Sequence, residues 1–424
     1  MVGLDFTLIA LALLGFALVS QRLSSTSITL PMVFTFFGFL IGEHFLNLAE
    51  FNLEHGAIHT LAEVTLILVL FADATRIDLM QLRREQNLPV RMLLIGLPLT
   101  IALGTVVALP FFGHLGVWGA AVLATMLAPT DAALGQVVVS SKHLPVRIRQ
   151  TLNVESGLND GMVLPILLLL LSIAGATEAR QDAAGLLRFT LLQITLGPAV
   201  GVAIGFFGGK LVETSTRAGW ITHGFEQISA IGLALLAFGA AELVGGNGFI
   251  AAFFAGMTLG NTARPICTCL YEFAETEGEL LTLFVFMIFG AIFVPDVVAG
   301  VTLPILLYVL LSLTVIRMIP VAISLLGIKL QLETVLFLGW FGPRGLATVL
   351  FGLLVLEESQ LTGREEVMLV AMTTVLLSIF AHGLTAAPLA RAYAQRVATM
   401  QDDLTLPELM PVEEMPLRSG MVRH

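Results

Sequence analysis

The sequence predicts an all-α polytopic membrane protein of about 13 transmembrane helices, built as two inverted six-helix repeats whose interrupted helices cross in the core. Three observations carry that expectation. The 424-residue chain is 57% hydrophobic and only 12% charged, about half the charged share of a soluble domain. Apolar runs long enough to cross a bilayer recur along its length. Two of those runs are broken at a proline, and each break carries a charge.

In chain order, windows of about 20 apolar residues give spans at 4–20, 28–46, 57–73, 89–109, 118–140, 149–176, 186–208, 225–244, 248–261, 279–294, 302–326, 332–356 and 366–390. Met1 to Asp5 lacks the positive n-region of a cleavable signal, so the first run is expected to be a retained span. The division that follows is a transmembrane domain over 1–398, with repeat one at 4–176, a connector helix at 186–208 and repeat two at 225–390. The remainder, 399–424, is polar and carries Pro407, Pro411 and Pro416, which predicts a short cytoplasmic tail, disordered or loosely docked. The net charge of −10 draws much of its acid from that tail (Asp402, Asp403, Glu408, Glu413, Glu414), so it names no partner. Cys267 and Cys269 lie too close for a disulfide and fall short of a metal-ligand set.

Basic residues stay on the cytoplasmic side in short loops. Alternate loops place Arg22, Arg76, Arg83, Arg84, Arg91, Lys142, Arg147, Arg149, Lys210, Arg217, Arg264, Lys329, Arg391 and Arg396 on one side. The other side receives Arg180, Arg188 and Arg364. An odd span number follows, with the N-terminus outside and the C-terminus cytoplasmic.

The breaks are Ala128-Pro129-Thr130-Asp131 in the fifth span and Phe341-Gly342-Pro343-Arg344-Gly345 in the twelfth. Proline frees carbonyls that lipid cannot satisfy, so such breaks survive where they line a buried cavity. The odd offset between the two spans means the chain crosses in opposite directions, as an inverted repeat requires. Opposed half-helices bring partial charges of both signs to the midplane. Asp131 is placed to offset the N-termini and Arg344 the C-termini, while carbonyls near Thr130 suit a small hard cation.

The sixth span contains Glu155-Ser156-Gly157-Leu158-Asn159-Asp160. Each charge inside a membrane costs roughly 2.5 to 3.5 kcal/mol on insertion scales, which marks such residues for function. At helical spacing Ser156 and Asp160 share one face, Glu155 and Asn159 the next. Desolvation penalises a bare carboxylate and either a proton or a cation relieves the penalty, so the two compete for Asp160. One carboxylate changing its occupant moves no net charge, since Asn159 cannot ionise.

These motifs together resemble the cation/proton antiporter superfamily, specifically its NhaP-type sodium/proton antiporter branch, over nearly the whole chain. The resemblance implies a mobile core beside a dimerisation domain, elevator-like alternating access, a homodimer in lipid and a prokaryotic plasma membrane. Motif position makes Asp160 the carboxylate for ion and proton, Ser156 and the Thr130 backbone ligands, and Asn159 the mark of electroneutral exchange. Asp73 matches an acidic position of the third span where many members have Glu. Glu155 matches a glutamate held by an arginine of the eleventh span, here Arg317, with Arg344 the competing partner. The transported ions are then Na+ or Li+ against H+, with no cofactor, no resident metal and no nucleic acid.

Potassium/proton exchange and electrogenic exchange are the alternatives within transport, and Asn159 argues against the second. An intramembrane aspartyl hydrolase using Asp131 and Asp160 is the enzyme alternative, but it leaves Arg344 unexplained. Neither a His-Glu-x-x-His nor a Gly-x-Ser-x-Gly pattern is present. Glu63 and Glu242 read as residues near helix ends, and Glu275, Glu277 and Glu279 as a solvated end of the tenth span. His382 reads as a satisfied packing residue in preference to a pH sensor. The Phe34 to Phe39 run reads as packing or lipid contact.

Overall fold

The computed structural model describes residues 28–48, 56–80, 87–131, 134–179, 183–262, 280–358, 361–399 and 406–410, with 7, 10–18, 82, 278 and 412 besides. Cys267, Cys269, Glu275, Glu277, Glu279 and most of the tail lie outside the described residues. All regular structure among those described is helical.

In chain order the helices from residue 28 onward are α1 (Leu30–Ile41), α2 (Gly56–Thr75), α3 (Asn87–Phe111), α4 (Gly116–Met126), α5 (Gln136–Val139), α6 (Val146–Ala179) and α7 (Ala183–Arg217). They continue with α8 (His223–Leu243), α9 (Gly248–Thr262), α10 (Leu280–Gly300), α11 (Leu303–Ser324), α12 (Leu332–Trp340), α13 (Leu346–Glu358) and α14 (Arg364–Ala398). Each apolar run from 28–46 onward contains one helix, except that α4 with α5 and α12 with α13 are the halves of the two broken runs. Among the described residues, seven helices (α3, α6, α7, α8, α10, α11 and α14) are long and apolar enough to cross a membrane.

Proline shapes several of them in one way. The widened π turns at Met92–Gly96 in α3 and Phe289–Phe293 in α10 each end two residues before a proline, Pro98 and Pro295. A proline supplies no N–H to the preceding turn, and a wider turn rehouses the freed carbonyls.

The inverted repeat can be read from backbone contacts. Gly38 and Gly42 of α1 lie against the carbonyls of Met287 and Ala291 in α10. Gly256 and Gly260 of α9 lie in the same register against those of Phe71 and Thr75 in α2. Any Cβ at these glycines would meet the opposing backbone, so only glycine permits the approach. Residue numbers rise together across each pair, so both pairs are parallel. Second span on tenth and ninth span on third are the pairs that an exchange of repeats interconverts.

Two packing groups result. The helices α2, α7, α8 and α9 form a panel around Ile67, Phe71, Ala234, Ala251 and Leu259. Against it stand α3, α4, α6, α11, α12, α13 and α14, whose contacts enclose the two breaks. A separate apolar cluster, including Val138, Ile148, Leu152, Phe337, Phe341 and Tyr393, fills the bundle at the α5 and α12 side of the breaks.

Within the tail, Pro407–Leu409 forms a 3-10 turn with Glu408 buried against the bundle, as the docked alternative for this segment would have it. Its polar composition suggested solvation, but a helix end and an arginine below it supply partners for its polar groups.

Candidate functional site

The site is assembled by α6 gripping the first break and the first break gripping the second. Residues 158–161 of α6 are buried without interruption, so the helix enters the protein with no solvated face there. Ser156 donates its hydroxyl proton to the Thr130 carbonyl at 2.7 Å, and Asn159 Nδ2 donates to Thr130 Oγ1 at 2.6 Å. Positions three apart thereby hold two polar groups of Thr130, so Asn159 works with Ser156 and not with Glu155, whose face it was expected to share. Asp160 is 7% exposed and lies one turn after Ser156. Asp73, in the last turn of α2, is buried, and its backbone lies beside Gly157.

The two breaks touch directly. The Asp131 backbone N–H donates to the Pro343 carbonyl at 2.8 Å, and the Asp131 carboxylate accepts the Leu346 N–H at 2.8 Å. That second bond places a carboxylate at the N-terminus of α13, where an anion is electrostatically favoured. A Cβ at Gly345 would collide with the same carboxylate, so the contact requires glycine there.

Helix ends leave carbonyls unsatisfied, and at the crossing each end finds a donor from elsewhere. Thr348 Oγ1 donates to the Met126 carbonyl at 3.2 Å, closing the end of α4. Arg344 Nη1 donates to the Gly342 carbonyl at 2.7 Å, beyond the end of α12. His382 Nε2 lies 3.0 Å from the Trp340 carbonyl and Nδ1 lies 3.1 Å from Ser378 Oγ. Ser378 Oγ accepts the Arg344 N–H at 2.7 Å. Nδ1 also lies 3.1 Å from the Ser378 carbonyl, so both ring nitrogens have partners. His382 is thus consumed in holding the second break.

Glu155 faces away from the Ser156 and Asp160 side of the helix and forms a two-point ion pair with Arg317, at 2.6 Å and 2.7 Å. Arg317 is 1% exposed and Arg344 0%. Arg317, and not Arg344, takes the glutamate, and its guanidinium packs on Gly342, where a Cβ would lie 2.5 Å from Nε. The pair therefore joins α6, α11 and the second break.

A cleft lined by Thr130, Asp131, Leu152, Ser156, Phe341 and Pro343 reaches the crossing. The structure brings Thr130, Ser156, Asn159 and Asp131 into one hydrogen-bonded unit with the second break, and sets Asp160 and Asp73 on the adjoining turns of α6 and α2. Of the weaker candidates, Glu242 accepts the Gly248 N–H at 2.7 Å and so caps α9, while Glu63 is half-buried. Ser378 and Thr348 were missed from the sequence. The i, i+4 spacing of Ser378 and His382 was the one available signal, and for Thr348 there was none, because its partner is 222 residues away.

The family model described as "Sodium/hydrogen exchanger, transmembrane" matches residues 8–392. The K(+)/H(+) antiporter NhaP of Alkalimonas amylolytica is 24% identical over 399 residues, covering 92% of this chain and 67% of that protein. The K(+)/H(+) antiporter NhaP2 of Shewanella sp. (strain MR-4) is 24% identical over 375 residues, covering 88% and 64%. The Na(+)/H(+) antiporter of Schizosaccharomyces pombe is 24% identical over 335 residues, covering 74% and 70%. The chain thus spans about two thirds of the length of the curated relatives it matches. Among solved structures, the sodium proton antiporter MjNhaP1 from Methanocaldococcus jannaschii at pH 8 superposes with a TM-score of 0.76 at 19% identity, covering 92% of this chain and 98% of that one.

Proposed function

From the premise that this chain belongs to the transmembrane sodium/hydrogen exchanger family, we propose that it exchanges a monovalent cation for protons across a membrane. The observation that carries the proposal is a buried Asp160 beside Ser156 and Asn159, which hold the broken backbone at Thr130. The Ser156 oxygen and the Thr130 carbonyl keep lone pairs after their mutual hydrogen bond, so both remain able to ligate a cation. Asp160 holds that cation or a proton, and the neutralised site crosses while the bare carboxylate does not. Asp73 lines the approach from α2. Asp131 and Arg344 stabilise the half-helix ends, and Glu155 with Arg317 fixes α6 to the second break.

Sodium is the assigned cation, with lithium as a second substrate. Potassium is the competing assignment, favoured by the names of the two bacterial relatives. The amide of Asn159 supports one-for-one exchange without net charge movement. The two packing groups suit a core that slides against a panel, and a homodimer in a plasma membrane, with the C-terminus cytoplasmic, completes the proposal. Engagement of the Asp131 carboxylate by the α13 N-terminus argues against its service in an aspartyl dyad.

The test is proton movement in proteoliposomes on addition of sodium, lithium or potassium, with the membrane potential clamped and unclamped. Asp160→Asn is expected to abolish exchange in protein that remains folded. Competition also fixes a sign: as pH falls, protons occupy more of the site, and the apparent cation KM climbs toward about tenfold per unit. Native-rate exchange by Asp160→Asn would sink the proposal.

A further inference from the structure

The 3-10 turn Pro407–Leu409 is used by nothing above, yet its surroundings are specific. Glu408 is 2% exposed. Its Oε1 accepts the N–H of Gln331, the residue that precedes α12, at 2.6 Å and the hydroxyl of Thr334, in the first turn of α12, at 3.1 Å. Thr334 Oγ1 in turn lies 2.8 Å from the Tyr393 hydroxyl of α14, and the Tyr393 ring stacks on Phe337. The neighbouring Pro407 carbonyl accepts from Arg147 Nη1 at 2.5 Å, in the first turn of α6. Leu409 packs against the apolar cluster that contains Leu152 and Phe341, residues that also wall the cleft to Thr130 and Ser156.

One short segment therefore touches the starts of the two helices that lead to the site. Helix α6 carries Ser156, Asn159 and Asp160, and α12 ends at the second break. Pseudo-symmetry sharpens the point. The exchange of repeats that maps α12 onto α4 maps α6 onto α14. At the α4 and α14 ends, His114 Nε2 and Glu366 Oε2 meet directly at 2.5 Å, linking the turn before α4 to the first turn of α14. At the α12 and α6 ends, Glu408 and the Pro407 carbonyl occupy the space between.

We propose that residues 406–410 form an intramolecular clasp that ties the start of α12 to the start of α6, with Glu408 a positioning residue for the cation site. The part concerning the cation site rests on the exchange activity proposed above. A carboxylate at the start of α12 engages the Gln331 N–H and the Thr334 hydroxyl, sits at the positive end of the helix dipole and holds the helix at fixed height. Releasing it lets α12, and the break at its far end, drift from Thr130 and Ser156. All of the clasp's partners (Arg147, Gln331, Thr334 and the cluster under Leu409) belong to helices of the site-bearing group, so the clasp travels with the site and need not open in each cycle.

The experiment compares full-length wild type with Glu408→Ala, Glu408→Gln and Arg147→Ala, by hydrogen exchange of the α12 first-turn amides and by cation-dependent proton flux in proteoliposomes. For Glu408→Ala, the expected results are faster amide exchange at residues 331–335 and an apparent sodium KM raised about threefold or more, with maximal rate changed less than about twofold. Glu408→Gln keeps an acceptor oxygen and is expected to restore most of both. Arg147→Ala is expected to act in the same direction more weakly. Unchanged amide protection in folded Glu408→Ala protein would overturn the clasp. Unchanged KM, or a fall in maximal rate alone, would overturn its positioning role. If wild type moves no protons in response to cations, the exchange activity fails instead, and amide protection alone decides whether the clasp exists.

Discussion

The crossing of the two breaks and the panel of α2, α7 and α9 solve the same problem, close approach of backbones in an apolar setting, by opposite means. At the crossing, approach is fixed by polar groups with named partners: Asp131 with Leu346 and Pro343, Thr348 with Met126. In the panel it is fixed by absence of side chains. Gly197, Gly201 and Gly205 of α7 lie in step against Asn247, Ala251 and Ala255 of α9, and Gly256 and Gly260 of α9 against α2. The apolar stretch of α14 is 67% buried, whereas that of α7 is 17%, and α7 meets α9 along one glycine stripe. A steric seam of this kind fixes distance while a hydrogen-bonded crossing fixes angle and charge, and the chemistry sits where the second kind is found.

The hardest blow to the crossing is expected from Arg317→Ala. Removing one member of a buried ion pair typically costs about 3 to 5 kcal/mol, because the other charge stays behind. Folded yield and the thermal midpoint in detergent should both drop sharply, and adding Glu155→Gln should recover part of the loss by removing the stranded charge. An unchanged midpoint for Arg317→Ala would mean that the crossing is not held this way. The panel's counterpart is Gly201→Val. Its Cβ would overlap the Ala251 carbonyl, and backbone cannot rotate aside, so a loss of about 1 to 3 kcal/mol is expected. Surviving protein should keep the wild-type cation KM. Gly232→Ala in α8 is the control, since nothing lies within 4 Å of its Cβ, and stability there should hold or rise slightly. A changed KM in Gly201→Val would erase the distinction between the regions.

Legibility in the sequence follows the same division. Glu155, Asn159, Asp160, Asp131 and Arg344 were visible because charge and amide in an apolar span are costly and so draw attention. The breaks were visible through Pro129 and Pro343. The glycine stripes were not, because glycine in an apolar helix is common and only the facing backbone reveals which ones matter. Nor were the partners of Glu408, since Gln331 and Thr334 are ordinary residues at a helix start. Thr348 escaped for a related reason: a threonine in a helix usually satisfies itself on its own preceding turn.

Within the crossing, smaller substitutions separate charge from hydrogen bonding. Asp131→Asn keeps an acceptor for the Leu346 N–H but removes the anion from the α13 N-terminus, a loss of about 0.3 to 2 kcal/mol. Exchange should slow by several-fold in folded protein, far short of the abolition expected for Asp160→Asn. Equal loss from the two would mean that Asp131 meets the ion itself.

Thr348→Val is the gentlest probe and the most discriminating. Valine keeps the shape and removes only the hydroxyl, so the cost is that of one hydrogen bond to the Met126 carbonyl, about 1 kcal/mol. Had α4 and α13 been joined as the panel is, by shape alone, the isosteric change would leave both the thermal midpoint and the sodium KM where they were. If polar pairing sets the crossing, the end of α4 loses its donor from α13, and the midpoint falls slightly. The KM should then rise more than stability alone explains, because Met126 leads within four residues to Thr130. A shift in midpoint with no shift in KM would confine Thr348 to folding and detach the carbonyl end of α4 from the ion.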